Sequence, residues 1–404
     1  IKSLIIDHHE INIPFPNANM IINPKKDNGY IEYDYLCATT LVYFFLDLLS
    51  KKIKSKLDIS KYSIYVLLAT VCDVMPIRKL NRILALTIIK NFDTKKNIAF
   101  NELFNLTKKI NKVNINDLGY LIGPILNAGG RLSKSSYASE LLSSDDLKIV
   151  NSRSNELIQL NNKRKEIERA IINEIDFKKI ENENKEIIIY YNPNINEGLI
   201  GIIAARLKDY FNKPSIVITS SNDFLKGSAR SVYNYNIGRA IKNLIDKDII
   251  ITGGGHNMAA GFTLKKNRLK NFEDAIIKDY IDSGVLRDNN FKYDAEVSSS
   301  ALNQDFYNDL KKLEPFGVGN PAPTFLLKDL KIIKPTVMND KHISLFLKSK
   351  TGFSIKSISF NSVNNNVGQY LMNYKKTLNV LGQINKNFWN NKNTLQLTIS
   401  DLIL

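Results

Sequence analysis

Leu4-Ile5-Ile6-Asp7-His8-His9 is a short apolar strand that ends in one carboxylate and two imidazoles. A strand this short and apolar needs a sheet around it and helices over it. The carboxyl edge of such a sheet is where α/β folds gather their ligands. The sequence holds four histidines, His8, His9, His256 and His342, so an adjacent pair in a histidine-poor chain marks this edge for chemistry. The bland alternative is a solvated pair at a strand end.

Tyr62 to Val71 is a second β-branched, apolar run, ending at Cys72-Asp73. Read as a strand, it delivers Asp73 to the same edge as Asp7, His8 and His9. The alternative is that Asp73 merely caps the helix after Pro76. Mixed carboxylate and imidazole sites with open positions suit Mn²⁺ or Mg²⁺, and paired ions of this kind activate water for attack on phosphorus. Four candidate ligands do not complete a two-metal site. The chain starts on Ile1 and runs straight into a strand. We therefore expect further ligands from an amino-terminal segment outside this sequence.

Strand and helix signals alternate to about Ser136, with helical spacing over Leu80 to Ile89. The most apolar stretch, Leu36 to Leu49, contains Thr39, Thr40 and Asp47, is too short to span a bilayer, and reads as a buried helix. From Ser144 to about Ile180, residues such as Val150, Leu157, Asn161, Arg164 and Ile171 recur at three- and four-residue steps. That is a long, partly exposed helix between domains, with a stripe too polar for a coiled coil. A second α/β unit follows: strands at Ile187 to Tyr191, Ser215 to Thr219 and Ile249 to Ile251, and a helix from Glu197 to Phe211. After a polar linker near Asp282 to Asn290 come five alternating segments: Lys328 to Lys334, His342 to Lys348, Ser354 to Phe360, Leu378 to Ile384 and Thr394 to Leu404. Five such strands suit a small Greek-key barrel of OB type.

The expected class is α/β. A mostly parallel sheet domain covers 1–143, a long connecting helix 144–182, a smaller α/β domain 183–286 and an OB-like barrel 290–404. Fifty-six Lys and Arg against forty Asp and Glu leave a formal charge of +16 over 404 residues, which favours a polyanionic partner. An AT-rich coding sequence would inflate lysine but would not remove acids. Two distant cysteines, Cys37 and Cys72, give no disulfide framework and suit a reducing compartment.

Three weaker elements fit phosphate. Gly123-Pro124-Ile125-Leu126-Asn127-Ala128-Gly129-Gly130-Arg131-Leu132 reads as a glycine-rich loop ending in a cation able to fork onto phosphate oxygens. Gly227-Ser228-Ala229-Arg230-Ser231 offers two hydroxyls and a guanidinium. Gly253-Gly254-Gly255-His256 reads as a turn that allows close backbone approach beside an imidazole. Each alone is also compatible with an ordinary surface turn.

With these residues in hand, the sequence resembles the DHH family of phosphoesterases, whose triplet stands at Asp7-His8-His9. Within the family it is most similar to the single-strand-specific exonucleases. Similar stretches are Cys72 to Pro76, Gly123 to Leu132, Glu197-Gly198-Leu199-Ile200-Gly201 through Leu207, Gly227 to Ser231, Gly253 to Gly261, and Leu313-Glu314-Pro315-Phe316-Gly317-Val318-Gly319-Asn320-Pro321. The likeness implies a DHH domain, a DHH-associated domain of DHHA1 type and an OB-like module.

It also implies that His8 and Asp73 bind Mn²⁺ or Mg²⁺ and, with His9 near the scissile phosphate, form the catalytic set. Asp7 would hold the histidines. Arg131, Ser228 and Arg230 would grip a terminal 5′ phosphate, with His256 lining the same cleft. The implied activity is 5′→3′ hydrolysis of single-stranded DNA in repair and recombination. The implied setting is a cytoplasmic monomer without membrane contact, working with a helicase or a single-strand-binding protein. The family's earlier Asp-rich motifs fall before Ile1, which implies little activity for this chain alone. Ile125 stands where these exonucleases usually carry Arg, and Gly129 where they usually carry Ala.

Two rival functions remain open at this point. A DHH phosphodiesterase of short oligonucleotides or cyclic dinucleotides would generally lack the module at Leu313 to Leu404. A non-catalytic single-strand-binding protein would contain no metal.

Overall fold

The computed structural model describes every residue except 12, 13, 27, 110, 111, 286–291, 364, 390, 391 and 404. The chain forms two units, residues 1–92 with 289–404 and residues 93–288.

In the first unit β1 (Leu4–Ile6) pairs in parallel with β2 (Met20–Ile22), Leu4 opposite Met20. Helices α1 (Ala38–Lys52), α2 (Ser63–Cys72) and α3 (Lys79–Asn91) follow. The run ending at Asp73 is thus a helix, not the strand its β-branched residues suggest. Ile64, Val66, Leu67, Leu68 and Thr70 are all buried. A segment apolar on every side carries no period by which helix and strand can be told apart. Asp73 consequently arrives at the end of a helix rather than at a strand end. Helix α1 also departs from expectation. Of its residues only Thr40 is buried, while Leu46, Leu48 and Leu49 are exposed, because the buried contacts are made by Tyr35, Leu36 and Cys37 just before it.

The second unit begins with α4 (Ile98–Leu106), a π-helical stretch over Asp117–Ile122, α5 (Gly123–Leu132) and α6 (Ser136–Ser143). The expected glycine loop is therefore a helix, opened by Pro124 in its first turn, where a missing N–H costs nothing. Gly129 serves packing rather than an anion. A Cβ there would sit 2.7 Å from the Lys134 carbonyl and 3.2 Å from Leu157 on α7 (Leu147–Glu174). Asp146 caps α7 by accepting from the Lys148 amide at 2.8 Å, and Val150, Ser154, Leu157, Asn161, Glu168 and Ile171 form its inner stripe. A break at Ile175 separates it from α8 (Phe177–Asn182).

The sheet of this unit runs β3-β4-β5-β7-β6, built from β3 (Ile188–Tyr191), β4 (Ser215–Ser221), β5 (Phe224–Arg230), β6 (Thr252–His256) and β7 (Ala259–Lys265). Only the β3–β4 pair is parallel. Interior strand β4 is buried from Ser215 to Thr219, as a strand covered on both faces must be. Val217 packs under α9 (Glu197–Phe211) with Leu199, Ile203 and Leu207. Ile216, Ile218, Leu225 and Leu264 pack against α10 (Ile237–Asp246) and α11 (Leu269–Asp282).

The triple-glycine segment is edge strand β6, not a turn, and Ile249 to Ile251 lie just before it rather than in a strand of their own. Its glycines answer to neighbours: a Cβ on Gly253 would meet Ile241 at 2.8 Å, and a Cβ on Gly238 of α10 would meet the Gly255 carbonyl at 2.9 Å. The linker expected near Asp282 to Asn290 lies largely outside the described residues.

Residues 289–404, within the first unit, hold β8 (Ala295–Glu296), α12 (Gln304–Leu310) and the five strands β9 (Phe325–Met338), β10 (His342–Lys348), β11 (Ser354–Ser359), β12 (Leu378–Trp389) and β13 (Lys392–Ile403), with α13 (Asn366–Asn373) between β11 and β12. The order β9-β10-β11-β13-β12 returns to β9, so the barrel closes and leaves no open edge among these five strands. Leu327, Ile343, Leu345, Leu347, Val380 and Leu397 fill its interior. Among the described residues no helix is long and apolar enough to cross a membrane.

Candidate functional site

The residues singled out in the sequence fall into two groups, one in each unit. In the first unit the Asp7 amide donates to the Ile22 carbonyl at 2.9 Å, which ties the end of β1 to β2. The next residue, His8, turns inward with its side chain only 12% exposed, and its Nε2 lies 3.0 Å from Oδ2 of Asp73. Burial holds the His8 imidazole below its ordinary range, opposed by the nearby carboxylates of Asp73 and Asp7. The neutral, metal-binding form is thereby favoured.

His9 points the other way and is 69% exposed, with its Nδ1 2.6 Å from Oδ1 of Asp7. The carboxylate can only accept, so Nδ1 carries the proton and Nε2 faces outward. Burial works to raise the Asp7 carboxyl, but the hydrogen bonds from His9 and from the backbone of His8 and His9 win and lower it. Asn23 fixes the same corner by donating to the His9 carbonyl at 3.0 Å.

Among the described residues no three His, Cys, Asp or Glu side chains gather into one metal-holding group. The His8–Asp73 pair nonetheless suits one edge of a coordination shell. Two adjacent octahedral ligands at about 2.1 Å from an ion lie about 3 Å apart, which is the separation seen here. Nitrogen and carboxylate oxygen are donors that Mn²⁺ accepts. The residues present fit a divalent ion as part of its shell.

In the second unit three elements converge. Arg131, in the last turn of α5, donates from Nη1 to the Gly198 carbonyl at 2.9 Å, and its backbone rests on Gly198 so closely that a Cβ there would collide with the Arg131 carbonyl. One turn further along α9, a Cβ on Gly201 would lie 2.9 Å from Nη2 of Arg230 and 3.1 Å from Oγ of Ser228. The two glycines are thus seats for two arginines. Arg230 Nη1 donates to Ser228 Oγ at 3.2 Å and to the Ala229 carbonyl at 2.8 Å. Among the described residues no carboxylate pairs with Arg230. Burial lowers the pKa of Arg230, and repulsion from Arg131 lowers it further. Arg131 is lowered by burial and by Arg164. Two mutually repelling, half-buried guanidiniums beside a hydroxyl form a site that an anion would relieve.

His256 belongs to the same face. It stands opposite Ala259, which stands opposite Arg230, so the three share one row across β6, β7 and β5. Two strand spacings, about 10 Å, separate its ends. The next row on that face is Ser228, Gly261 and Gly254. A Cβ on Gly254 would meet nothing within 4 Å, and one on Gly261 only the Gly227 carbonyl at 3.8 Å. Bare backbone therefore floors the area beside the guanidiniums.

Sequence reasoning missed the support behind this site. Arg164 appeared only as a member of the α7 stripe. Glu168 is buried and bridges it at 3.0 Å to Arg206 at 2.7 Å. The available signal was a guanidinium and a carboxylate, four residues apart, on the buried side of a helix.

Residues 293–401 match the model of the RecJ OB domain, and residues 184–281 that of the DHHA1 domain. The single-stranded-DNA-specific exonuclease RecJ of Bacillus subtilis is 25% identical over 98% of this chain and 50% of its own length. That of Haemophilus influenzae is 28% identical over 89% of this chain and 67% of its own. The crystal structure of RecJ from Thermus thermophilus in complex with Mn²⁺ superposes with a TM-score of 0.81 at 20% identity, covering all of this chain and 58% of that one. The chain thus spans about half to two thirds of the length of these relatives. In sequence, domain content and fold the chain is similar to these RecJ exonucleases.

Proposed function

We propose that this chain is part of a divalent-metal-dependent exonuclease that shortens single-stranded DNA from its 5′ end. The observation that carries the reading is the Arg131–Ser228–Arg230 cluster. It is built for an anion with several oxygens, and the terminal phosphate of a strand is such a group. The His8–Asp73 pair supports the second half of the reading, hydrolysis at phosphorus.

His8 and Asp73 would hold a Mn²⁺ or Mg²⁺ ion, with the remaining ligands supplied from beyond the donors described above. When bound, the ion supplies charge stabilisation for in-line displacement at phosphorus. Asp7 holds His9 in the tautomer that leaves Nε2 free to exchange a proton near the reacting phosphate. Arg131 and Arg230 hold the strand's end, Ser228 adds a neutral donor, and His256 flanks the same face. The bare Gly254 and Gly261 backbone lets the sugar–phosphate chain lie close. The OB barrel adds a second surface for the single strand.

The test is release of nucleotides from end-labelled DNA by a protein containing this chain, with Mn²⁺ or Mg²⁺ and with a chelator. Metal-dependent shortening of single strands from the 5′ end, with duplex left intact, is expected. Shortening from the 3′ end, or equal attack on duplex, would overturn the reading.

A further inference from the structure

The turn that carries Asp73 is strained. Val74, next to Asp73, has φ +59°, a left-handed conformation that a β-branched residue strongly resists, and Lys79 has φ +46°. The turn's own bonds are three: the Asp73 amide to the Ala69 carbonyl and the Met75 amide to the Thr70 carbonyl, each 2.9 Å, and the Val74 amide to the Val71 carbonyl at 3.2 Å.

Further support comes from 230 or more positions away, in the loop between α12 and β9. The Ile77 amide donates to the Val318 carbonyl at 2.6 Å. The Arg82 guanidinium reaches from α3 to the carbonyls of Lys312 and Glu314, at 3.0 and 2.9 Å. Gly317 and Gly319 permit the approach, since a Cβ on the first would sit 2.8 Å from Ile77 and on the second 2.9 Å from Pro76. Gly319 has φ +75°, so glycine is required there twice over. Asn320 sets the loop's own shape by donating to the carbonyls of Leu313 and Pro315. From the opposite side the fully buried Asn81 donates to the Pro76 carbonyl at 3.1 Å and to the Tyr35 carbonyl at 2.8 Å.

We propose that the loop over residues 311–320 is a positioning brace for Asp73, with Arg82 and Gly319 as its working residues. The inference rests on reading Asp73 as a metal ligand. A carboxylate half exposed on a strained turn keeps a ligand's place only when the turn is held from outside, because metal sites tolerate displacements of a few tenths of an ångström. The barrel and the imidazole–carboxylate edge are in this way one mechanical object. The brace touches no substrate and acts through backbone carbonyls.

The experiment uses the full-length protein and three variants, Arg82→Met, Gly319→Ala and Asp73→Asn, with Arg82→Lys as the conservative control. Mn²⁺ affinity is read by electron paramagnetic resonance, amide exchange at Met75 and Ile77 by mass spectrometry, and affinity for a 5′-phosphorylated strand separately. Brace variants should bind Mn²⁺ roughly 10-fold or more weakly, as supports of ligands commonly do. Exchange at Ile77 should speed up, strand affinity should hold, and Arg82→Lys should recover part of the loss. Faster exchange with unchanged Mn²⁺ affinity would overturn the brace, and so would no change in either. If Gly319→Ala does not fold, Arg82→Met decides. Should Asp73→Asn itself leave Mn²⁺ binding intact, the ligand reading fails and the brace with it. If Asp73→Asn abolishes binding while the brace variants keep it, only the brace fails.

Discussion

The two groups of functional side chains are built on different principles. The guanidinium site sits on regular elements, α5, α9 and β5, each seated by close packing at Gly198 or Gly201. On the proposed reading, Arg131, Ser228 and Arg230 would together offer guanidinium and hydroxyl donors to one phosphate. The imidazole–carboxylate site sits at element ends and on a strained turn, and its donors suit one edge of a shell that needs more. A binding site can be complete within one unit of a chain, whereas a metal centre asks for ligands from many segments at once.

Several measurements would break or sharpen that contrast. The largest effect concerns the weaker partner. In full-length protein His8→Ala and Asp73→Asn should each lower turnover on the order of a thousandfold, since an ion that loses a ligand loses its hold on the reacting phosphate. Strand binding should survive, and initial rates beside a binding titration check both. A variant retaining a tenth of wild-type turnover would remove that residue from the metal's shell.

The 404-residue chain alone should display the contrast directly, binding a 5′-phosphorylated strand while cleaving it little. Robust metal-dependent digestion would mean that its own donors suffice.

Arg230→Ala should then cut the preference for a 5′-phosphate over a 5′-hydroxyl end by about 1.5–3 kcal/mol, the range of hydrogen bonds to charged groups. Equal losses on both ends, in initial rates at subsaturating DNA, would make Arg230 a general backbone contact. The same variant offers a finer reading. Binding should weaken with salt, and losing one phosphate contact should make the log–log slope shallower by about 0.7.

The smallest effect is with pH. Arginines stay cationic across the physiological range, so in a His256→Gln background, which removes the imidazole on the same face, the titrating group is the terminal phosphate, whose second pKa is about 6. Two guanidiniums favour the dianion and move that pKa down. The preference for phosphorylated ends should therefore be full at pH 7 and shrink by a few fold as pH falls below about 6. A preference flat to pH 5 would show that the site grips the monoanion equally well.

Much of this was legible in the sequence where a residue's type decides its role. The Asp7-His8-His9 strand end, α9 over Glu197–Phe211 and the alternation of the barrel strands follow from local pattern. What was hidden depends on partners far away. The helix ending at Cys72 has no polar face to reveal its period. Gly129 reads as a turn residue until Leu157 is known to lie against it, and the glycines of β6 read as a turn until α10 is in place. Arg164 and Glu168 have the spacing of an ordinary surface ion pair, and their burial is a tertiary fact. The residues of the 311–320 loop were noticed for their likeness alone, because nothing local shows that they press on Pro76 and Ile77.

The uncovered backbone at Gly254 and Gly261 has a consequence for what the protein can distinguish. Amides and carbonyls repeat identically along a strand, so a nucleotide resting on them, as proposed, would be measured for thickness and charge while its base edges went unread. Such a floor would be illiterate, as the proposed consumption of any single strand requires. It also leaves an opening for a clean intervention. Because nothing lies within 4 Å of the position a Gly254 Cβ would take, a methyl group added there touches no atom of the fold and would be met only by the proposed strand.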